Sequence, residues 1–431
     1  MTNPFEEFQW REMLYDSTDG LAEAFSAGRV TAYIGFDPTA SSLHVGSLLP
    51  VMALARLQRS GHSPIAIVGG GTGMIGDPSG KAQERSLLTR EQLDENLEGI
   101  RRQLSRFLDF DAPANPARIV NNADWLGQFD LIGFLRDTGK YFTVNYMLQK
   151  ESVNRRLESA DGISYTEFSY LLLQARDFVE LFDRFGCTLQ MGGSDQWGNI
   201  TAGIDLIRKV RARKAHGLVM PLVTTASGVK FGKTEAGTIW LDPARTAPQE
   251  FRQFWLNTDD RDVVRYLKYF TFLTRAEIDD LATITASAPE KREAQRVLAD
   301  QVSALVHGEE DAARIERANS ELFSATTVNV TGRDAAQVAD RLVAIAADVP
   351  STTMAASEFE GDGVALIDLV ARAKLAGSKS EARRLVQQGG VKVNERRVSD
   401  PGARVTRADA IDGRVLLLQK GSRQRHLIRL T

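Results

Sequence analysis

The chain has 431 residues, 43% hydrophobic and 25% charged, which fits a soluble protein of roughly two to four domains with a sizeable core. A single cysteine, Cys187, excludes an internal disulfide and a cysteine-based (structural) zinc site. No apolar run of about 18 residues predicts a membrane span, and the acidic start MTNPFEEFQWREM lacks a secretory core, so the expected location is cytoplasmic. The net charge of −3 is uneven: residues 361–431 hold 15 Lys and Arg against 7 Asp and Glu, a net of +8, which leaves −11 on the rest. An acidic body with a basic end points to a polyanionic partner, although a solvated charged face would read the same way.

In chain order, 31–36 (TAYIGF) reads as a short apolar strand, followed by a turn at Pro38 and a helix over about 44–59. A second strand at 64–68 (PIAIV) runs into the glycine-dense GGGTGMIGDPSGK, and 87–108 is helical. A strand at 187–191 (CTLQM) leads through GGSDQW to a helix ending near Val210, and 218–224 is a further strand. Strands alternating with helices predict an α/β domain with a mainly parallel sheet, whose ligands sit at the carboxyl ends of the strands. From Ala247 to Phe323 the pattern is helical, 324–360 reads as a connector, and 363–431 as a basic unit of two short helices and strands.

The chemistry-bearing segments fall at strand ends. In YIGFDPTASSLHVGS a helix start near His44 presents free N–H groups suited to phosphate. Thr39 and His44 can donate to phosphate oxygens, and Gly46 leaves room for a flat base or ribose; His44 could equally be a simple helix cap. In VKFGKT, Lys230 and Lys233 flank Gly232, a pair of mobile cations suited to a leaving pyrophosphate or just an exposed basic loop. Tyr170, Gln174 and Asp177 lie at i, i+4 and i+7, one face of a helix. Burying such a polar stripe calls for a polar ligand or an internal hydrogen-bond network.

Together these segments resemble a known family. YIGFDPTASSLHVGS, GGTGMIGDPSGK, YTEFSYLLLQARD, MGGSDQWGNITAG and KFGKTEAGTIWLD follow, in order, the pattern of bacterial tyrosyl-tRNA synthetases, a class I aminoacyl-tRNA synthetase family. GSKSEARRLVQQGGVKVNERRV is similar to the small RNA-binding domain that these enzymes share with a ribosomal protein. The resemblance implies a Rossmann-like catalytic domain over 1–225, the Lys loop with a helical anticodon-side domain over 226–323, a linker over 324–360, and a small α+β RNA-binding domain over 361–431. It implies tyrosine–tRNA ligase activity with L-tyrosine, ATP and tRNA(Tyr), Mg²⁺ arriving with the nucleotide, and a homodimer, for which the apolar, aromatic stretch 125–142 offers interface candidates that could equally be plain core.

The resemblance also implies residue roles. Tyr33 and Asp177 would bond the phenolic hydroxyl of tyrosine; Asp77, Tyr170 and Gln174 its ammonium; Gln196 the carboxyl group being activated. Asp195 would hold the ribose of ATP and Gly193 allow its close approach. Asp37, Thr39, His44 and Ser47 would lie along the nucleotide, with Lys81, Arg85, Lys230, Lys233 and Thr234 around pyrophosphate. Ser47 departs from the family pattern, which usually has His or Asn there. Tyrosine is favoured over tryptophan as substrate by the Tyr33/Asp177 pair and SDQW. A silent RNA-binding paralogue is disfavoured by the intact His44, Asp195, Lys230 and Lys233. A general nucleotidylyltransferase would leave the basic end unexplained.

Overall fold

The computed structural model describes residues 3–79, 89–159, 162–226, 228, 231–234, 237–324, 335–421 and 424–431, with the backbone alone at 233, 234, 323 and 324. The chain divides into two units, Met1–Thr246 with Trp255–Val306, and Ala247–Phe254 with His307–Thr431.

The first unit is built on a six-stranded sheet of β1 (Asp16–Ser17), β2 (Thr31–Phe36), β3 (Ser63–Val68), β4 (Arg118–Asn121), β5 (Cys187–Gly193) and β6 (His216–Met220), ordered β1-β6-β5-β2-β3-β4. All neighbours are parallel except the β1–β6 pair. β3 and β6 are buried at every position, as expected of a parallel sheet covered on both faces. β2 has β3 on one side and β5 on the other, so the strand order reverses between β2 and β5 and a crevice opens at their carboxyl ends.

One helix carries side chains to that crevice and a second starts beside it. Tyr165–Phe185 starts at Ser164, whose side chain accepts from the Glu167 N–H, and stops at Gly186 in the left-handed conformation, φ 62°. Its apolar stripe of Leu171, Ala175, Phe178 and Val179 packs into the core with Tyr33 and Ile65. Trp197–Arg211 follows a single 3₁₀ turn, Ser194–Gln196, directly after β5.

The second unit holds a five-stranded sheet ordered Arg396–Val398, Val391–Val393, Val415–Lys420, Gln424–Leu430, Ser351–Met354. Only the last pair is parallel. Along Val415–Lys420 side chains alternate: Leu416 and Leu418 join Leu366, Leu369 and Val386 on one face, while Val415 and Leu417 join Val338, Leu342 and Ile345 on the other.

These units do not follow the boundaries expected from the sequence. The 324–360 segment, read as a connector, contributes the helix Ala335–Ala344 and the sheet strand Ser351–Met354. Within 226–323, residues 255–306 pack with the first unit, where Phe231 is enclosed by the rings of Trp255, Tyr266 and Phe270. Short, half-polar β4 and two-residue β1 carry too little apolar pattern to be read from sequence.

Candidate functional site

A cavity of about 330 Å³ lies at the strand ends, lined among others by Tyr33, Asp77, Tyr170, Gln174, Asp177 and Gln196. Asp37, Ser47, Gly193 and Asp195 also reach it. The Tyr170, Gln174, Asp177 stripe therefore faces one space, as its helical spacing predicts.

At one end, Tyr33 is fully buried and its hydroxyl has no hydrogen-bond partner among the described residues. Burial, with the nearby Asp177 charge, pushes its pKa well above the ordinary phenol range. Asp177 is also buried, and desolvation pushes its carboxyl up to about 7, against the lowering effect of two hydrogen bonds. One carboxylate oxygen accepts from Trp125 Nε1 at 2.7 Å and the other from Asn122 Nδ2 at 2.9 Å. Asn122 is itself fixed: its Oδ1 accepts the Gly71 N–H at 2.7 Å and its Nδ2 donates to Thr72 Oγ1 at 2.9 Å. Each Asp177 oxygen retains acceptor capacity. A ligand hydroxyl that donates to Asp177 and accepts from Tyr33 would complete this end.

At the other end, polar groups form a mesh. Gln196 Nε2 donates to Asp77 at 2.8 Å, Gln174 Nε2 to Gln196 Oε1 at 3.3 Å, and Asn199 Nδ2 to Gln174 Oε1 at 3.0 Å. The second Asp77 oxygen accepts the Ser79 N–H at 2.9 Å. Carboxylate and amide acceptors so arranged suit an ammonium group. At the end of β5, a Cβ on Gly193 would meet the Asp195 carboxylate at 2.7 Å, so the glycine lets that side chain fold back over the backbone.

The two signature segments meet. Val45 N–H donates to Ile239 O at 3.0 Å, Leu241 N–H to Leu43 O at 2.9 Å, and Ile239 N–H to Gly232 O at 3.2 Å. Gly232, at φ +81°, sits where a Cβ would come within 2.6 Å of Val45. Lys233–Thr234 then pairs with Gly237–Thr238 as a short hairpin. His44 caps the 3₁₀ turn Val45–Ser47, its Nδ1 accepting from the Gly46 N–H at 3.0 Å. That bond leaves the proton on Nε2 of the neutral ring, the donor form.

Some expectations change. The space at Gly46, read as room for a base or ribose, is taken by the His44 ring, 2.7 Å from where a Cβ would stand. Of the two readings of 125–142, interface or core, Trp125 takes the second: it is 2% exposed and held by Asp177. Thr39 lies in the turn after β2, its N–H bonded to Asp37 O at 2.9 Å, and neither it nor His44 lines the cavity. Lys81, Arg85 and Lys230 lie outside the described residues, as do the side chains of Lys233 and Thr234. Sequence reasoning missed Asn122, Trp125, Asn199 and Gln190. The last had a signal: a glutamine inside the apolar strand CTLQM has to meet something polar.

Residues 26–324 match the family described as tRNA synthetases class I (W and Y), and residues 341–428 the tyrosine–tRNA ligase SYY-like C-terminal domain. The chain is 55% identical over 430 residues to the tyrosine–tRNA ligase of Roseiflexus castenholzii, covering 100% of both chains. It is 51% identical over 426 residues to that of Geobacillus stearothermophilus, covering 98% of both. Among solved structures it is similar to a C-terminally truncated mitochondrial tyrosyl-tRNA synthetase of Aspergillus nidulans, with TM-score 0.68 and 32% identity over 75% of this chain and 94% of that one.

Proposed function

Since the chain belongs to the tyrosine–tRNA ligases of class I, we propose a division of labour among its residues in the two-step reaction of that family. L-tyrosine and ATP give tyrosyl-adenylate and pyrophosphate, and the 3′-terminal adenosine of tRNA(Tyr) then takes the tyrosyl group.

Tyrosine enters phenol first. Its hydroxyl donates to Asp177 and accepts from the otherwise unpartnered Tyr33 hydroxyl. Its ammonium group replaces internal partners of Asp77 and Gln174, beside Tyr170. Gln196 then lies next to the carboxylate. That carboxylate attacks the α-phosphorus of ATP: a carboxyl O–P bond forms, the bond to the β-phosphate oxygen breaks, and pyrophosphate leaves with the electron pair. No side-chain nucleophile is needed. Positioning and cationic or N–H donors on the phosphates supply the catalysis.

On this reading ATP comes as its Mg²⁺ complex, its ribose on Asp195 against Gly193. Asp37, Thr39, His44 and Ser47 are assigned along the nucleotide from the sequence pattern, Asp37 and Ser47 also lining the cavity. His44 gives a neutral Nε2–H donor. Lys81, Arg85, Lys230, Lys233 and Thr234 are assigned to pyrophosphate from the sequence pattern. The basic end, residues 361–431, meets tRNA phosphates. Leu131 and Ile132, 69% and 70% exposed, and the exposed Val144 and Leu157 are apolar side chains that a second copy would cover in a homodimer. A cytoplasmic location follows from these partners.

The observation that carries the reading is the cavity that joins the unpartnered Tyr33 hydroxyl and Asp177 at one end to the Asp77–Gln196–Gln174 mesh at the other. The test is ATP–pyrophosphate exchange with each amino acid, followed by charging of tRNA(Tyr). Exchange with tyrosine far above phenylalanine and tryptophan supports it; exchange with another amino acid, or none, rejects it.

A further inference from the structure

Two arginines outside the cavity converge on one helix end. Arg11 and Arg56 are each 3% exposed. Arg56 Nη2 donates to the carbonyls of Lys268 at 3.1 Å, Tyr269 at 3.1 Å and Thr271 at 2.5 Å. Arg11 donates to those of Lys268 at 3.0 Å, Thr271 at 3.3 Å and Leu273 at 2.6 Å. These carbonyls lie in and just after the last turn of the helix Asp260–Phe270. A helix leaves such carbonyls unpaired, and they carry the negative end of its dipole. Glu7 adds a carboxylate, paired with Arg11, and Arg59 stacks 3.4 Å over the Phe272 ring. Desolvation of two guanidinium groups is costly, and burial lowers the pKa of both. Arg11 uses the planar donor fork that lysine lacks, reaching its carbonyls through both Nη1 and Nη2, while Arg56 reaches its three through Nη2 at the end of the longer side chain.

The same helix grips the approach to the second signature loop. Asp262 accepts the Ala226 N–H at 2.8 Å, and Arg265 and the Tyr266 hydroxyl donate to Thr224 O at 3.0 and 3.3 Å. The Tyr266 ring meets Phe231 edge-on at 4.9 Å, and Phe270 stacks on it at 5.5 Å and 10°. Arg56, for its part, is on the helix Leu48–Arg59, which follows directly from the His44 turn. A closed mechanical circuit results: His44 turn, helix Leu48–Arg59, arginine pair, helix Asp260–Phe270, Phe231-Gly232, and back to Val45.

We propose that Arg56 and Arg11 are positioning residues for adenylate formation: they peg the helix Asp260–Phe270 to the far end of the helix Leu48–Arg59, which follows the His44 turn, and so set where Phe231 and Gly232 stand against Val45. The peg touches no reacting atom. It rests on the tyrosine-ligase reading for what the loop does.

The test is single-turnover formation of tyrosyl-adenylate by the full-length chain, with the tyrosine Kd measured separately by equilibrium dialysis. Arg56→Met lowers the adenylation rate constant by about tenfold or more, the size a small misplacement costs, and leaves the tyrosine Kd within about twofold. Arg56→Lys, which keeps the charge on a shorter side chain, recovers only part of the rate. Tyr266→Phe, which removes one hydroxyl, gives a smaller loss of the same kind, and Arg56→Lys decides the matter if Arg56→Met does not fold. The double variant loses less than the product of the two, since both act through one helix. An unchanged rate in Arg56→Met, a tyrosine Kd that worsens in step with the rate, or independent losses in the double variant would overturn the peg. Failure of the unaltered chain to form tyrosyl-adenylate rejects the ligase reading instead.

Discussion

Tyr33 and Gln190 stand opposite one another in register on β2 and β5, and each buries a polar atom, the Tyr33 hydroxyl and Gln190 Oε1, that no described group satisfies. Both line the same cavity. A buried hydroxyl without a partner costs about 1–3 kcal/mol, so the free protein bears a penalty at the place where a polar ligand is to bind.

Tyr33→Phe separates stability from function. Removing the unpartnered hydroxyl leaves the Tm of the free protein unchanged or raised. The kcat/KM for tyrosine falls by roughly fivefold, the net worth of about 1 kcal/mol for one hydrogen bond. Calorimetry and pyrophosphate exchange read the two effects. A lower Tm with unchanged kcat/KM would assign the hydroxyl a structural role.

The Asp177 carboxyl, pushed up to about 7 by burial, makes tyrosine binding depend on pH. The ionised form is the better acceptor for the phenolic proton, so affinity tightens as pH rises through about 7 and weakens below it. Asn122→Ala deletes a hydrogen bond that lowers this pKa, so the midpoint shifts upward. Asp177→Ala abolishes the pH dependence and narrows discrimination between tyrosine and phenylalanine. Tyrosine titrations between pH 5.5 and 8.5, roughly spanning that midpoint, check all three. A profile of wild type that stays flat speaks against Asp177 as the acceptor.

Much of this site was legible because its chemistry sits on regular elements. Tyr170, Gln174 and Asp177 share a helix face whatever the tertiary packing, and the glycine-rich turns mark strand ends. Asn122 and Trp125 were not legible: they reach Asp177 from the end of β4, a strand with little apolar pattern, and their partner is about 50 residues away in sequence. The Ser351–Met354 strand was hidden for a similar reason. Three of its four residues are Ser or Thr, and only its pairing with Gln424–Leu430 makes it part of the sheet.

Ser47 lines the cavity, and its side chain makes no capping bond to the helix it precedes. Ser47→Asn therefore costs little in stability and offers a longer donor toward the nucleotide. The adenylation rate is retained or raised in rapid-quench measurements. A large loss would show that the short side chain is required.

The basic unit should matter to tRNA alone. Raising salt from about 50 to 200 mM raises the KM for tRNA steeply through counterion release and changes tyrosine-dependent pyrophosphate exchange far less. Equal salt sensitivity of the two activities would place the tRNA-binding charge elsewhere.

The most direct measurement is a crystal structure with a non-hydrolysable tyrosyl-adenylate analogue. The phenolic oxygen is expected within hydrogen-bond reach of both Tyr33 Oη and Asp177, the ammonium beside Asp77 and Gln174, and the ribose on Asp195. An analogue bound with its phenol away from Asp177, or its adenosine away from Asp195, would contradict the account.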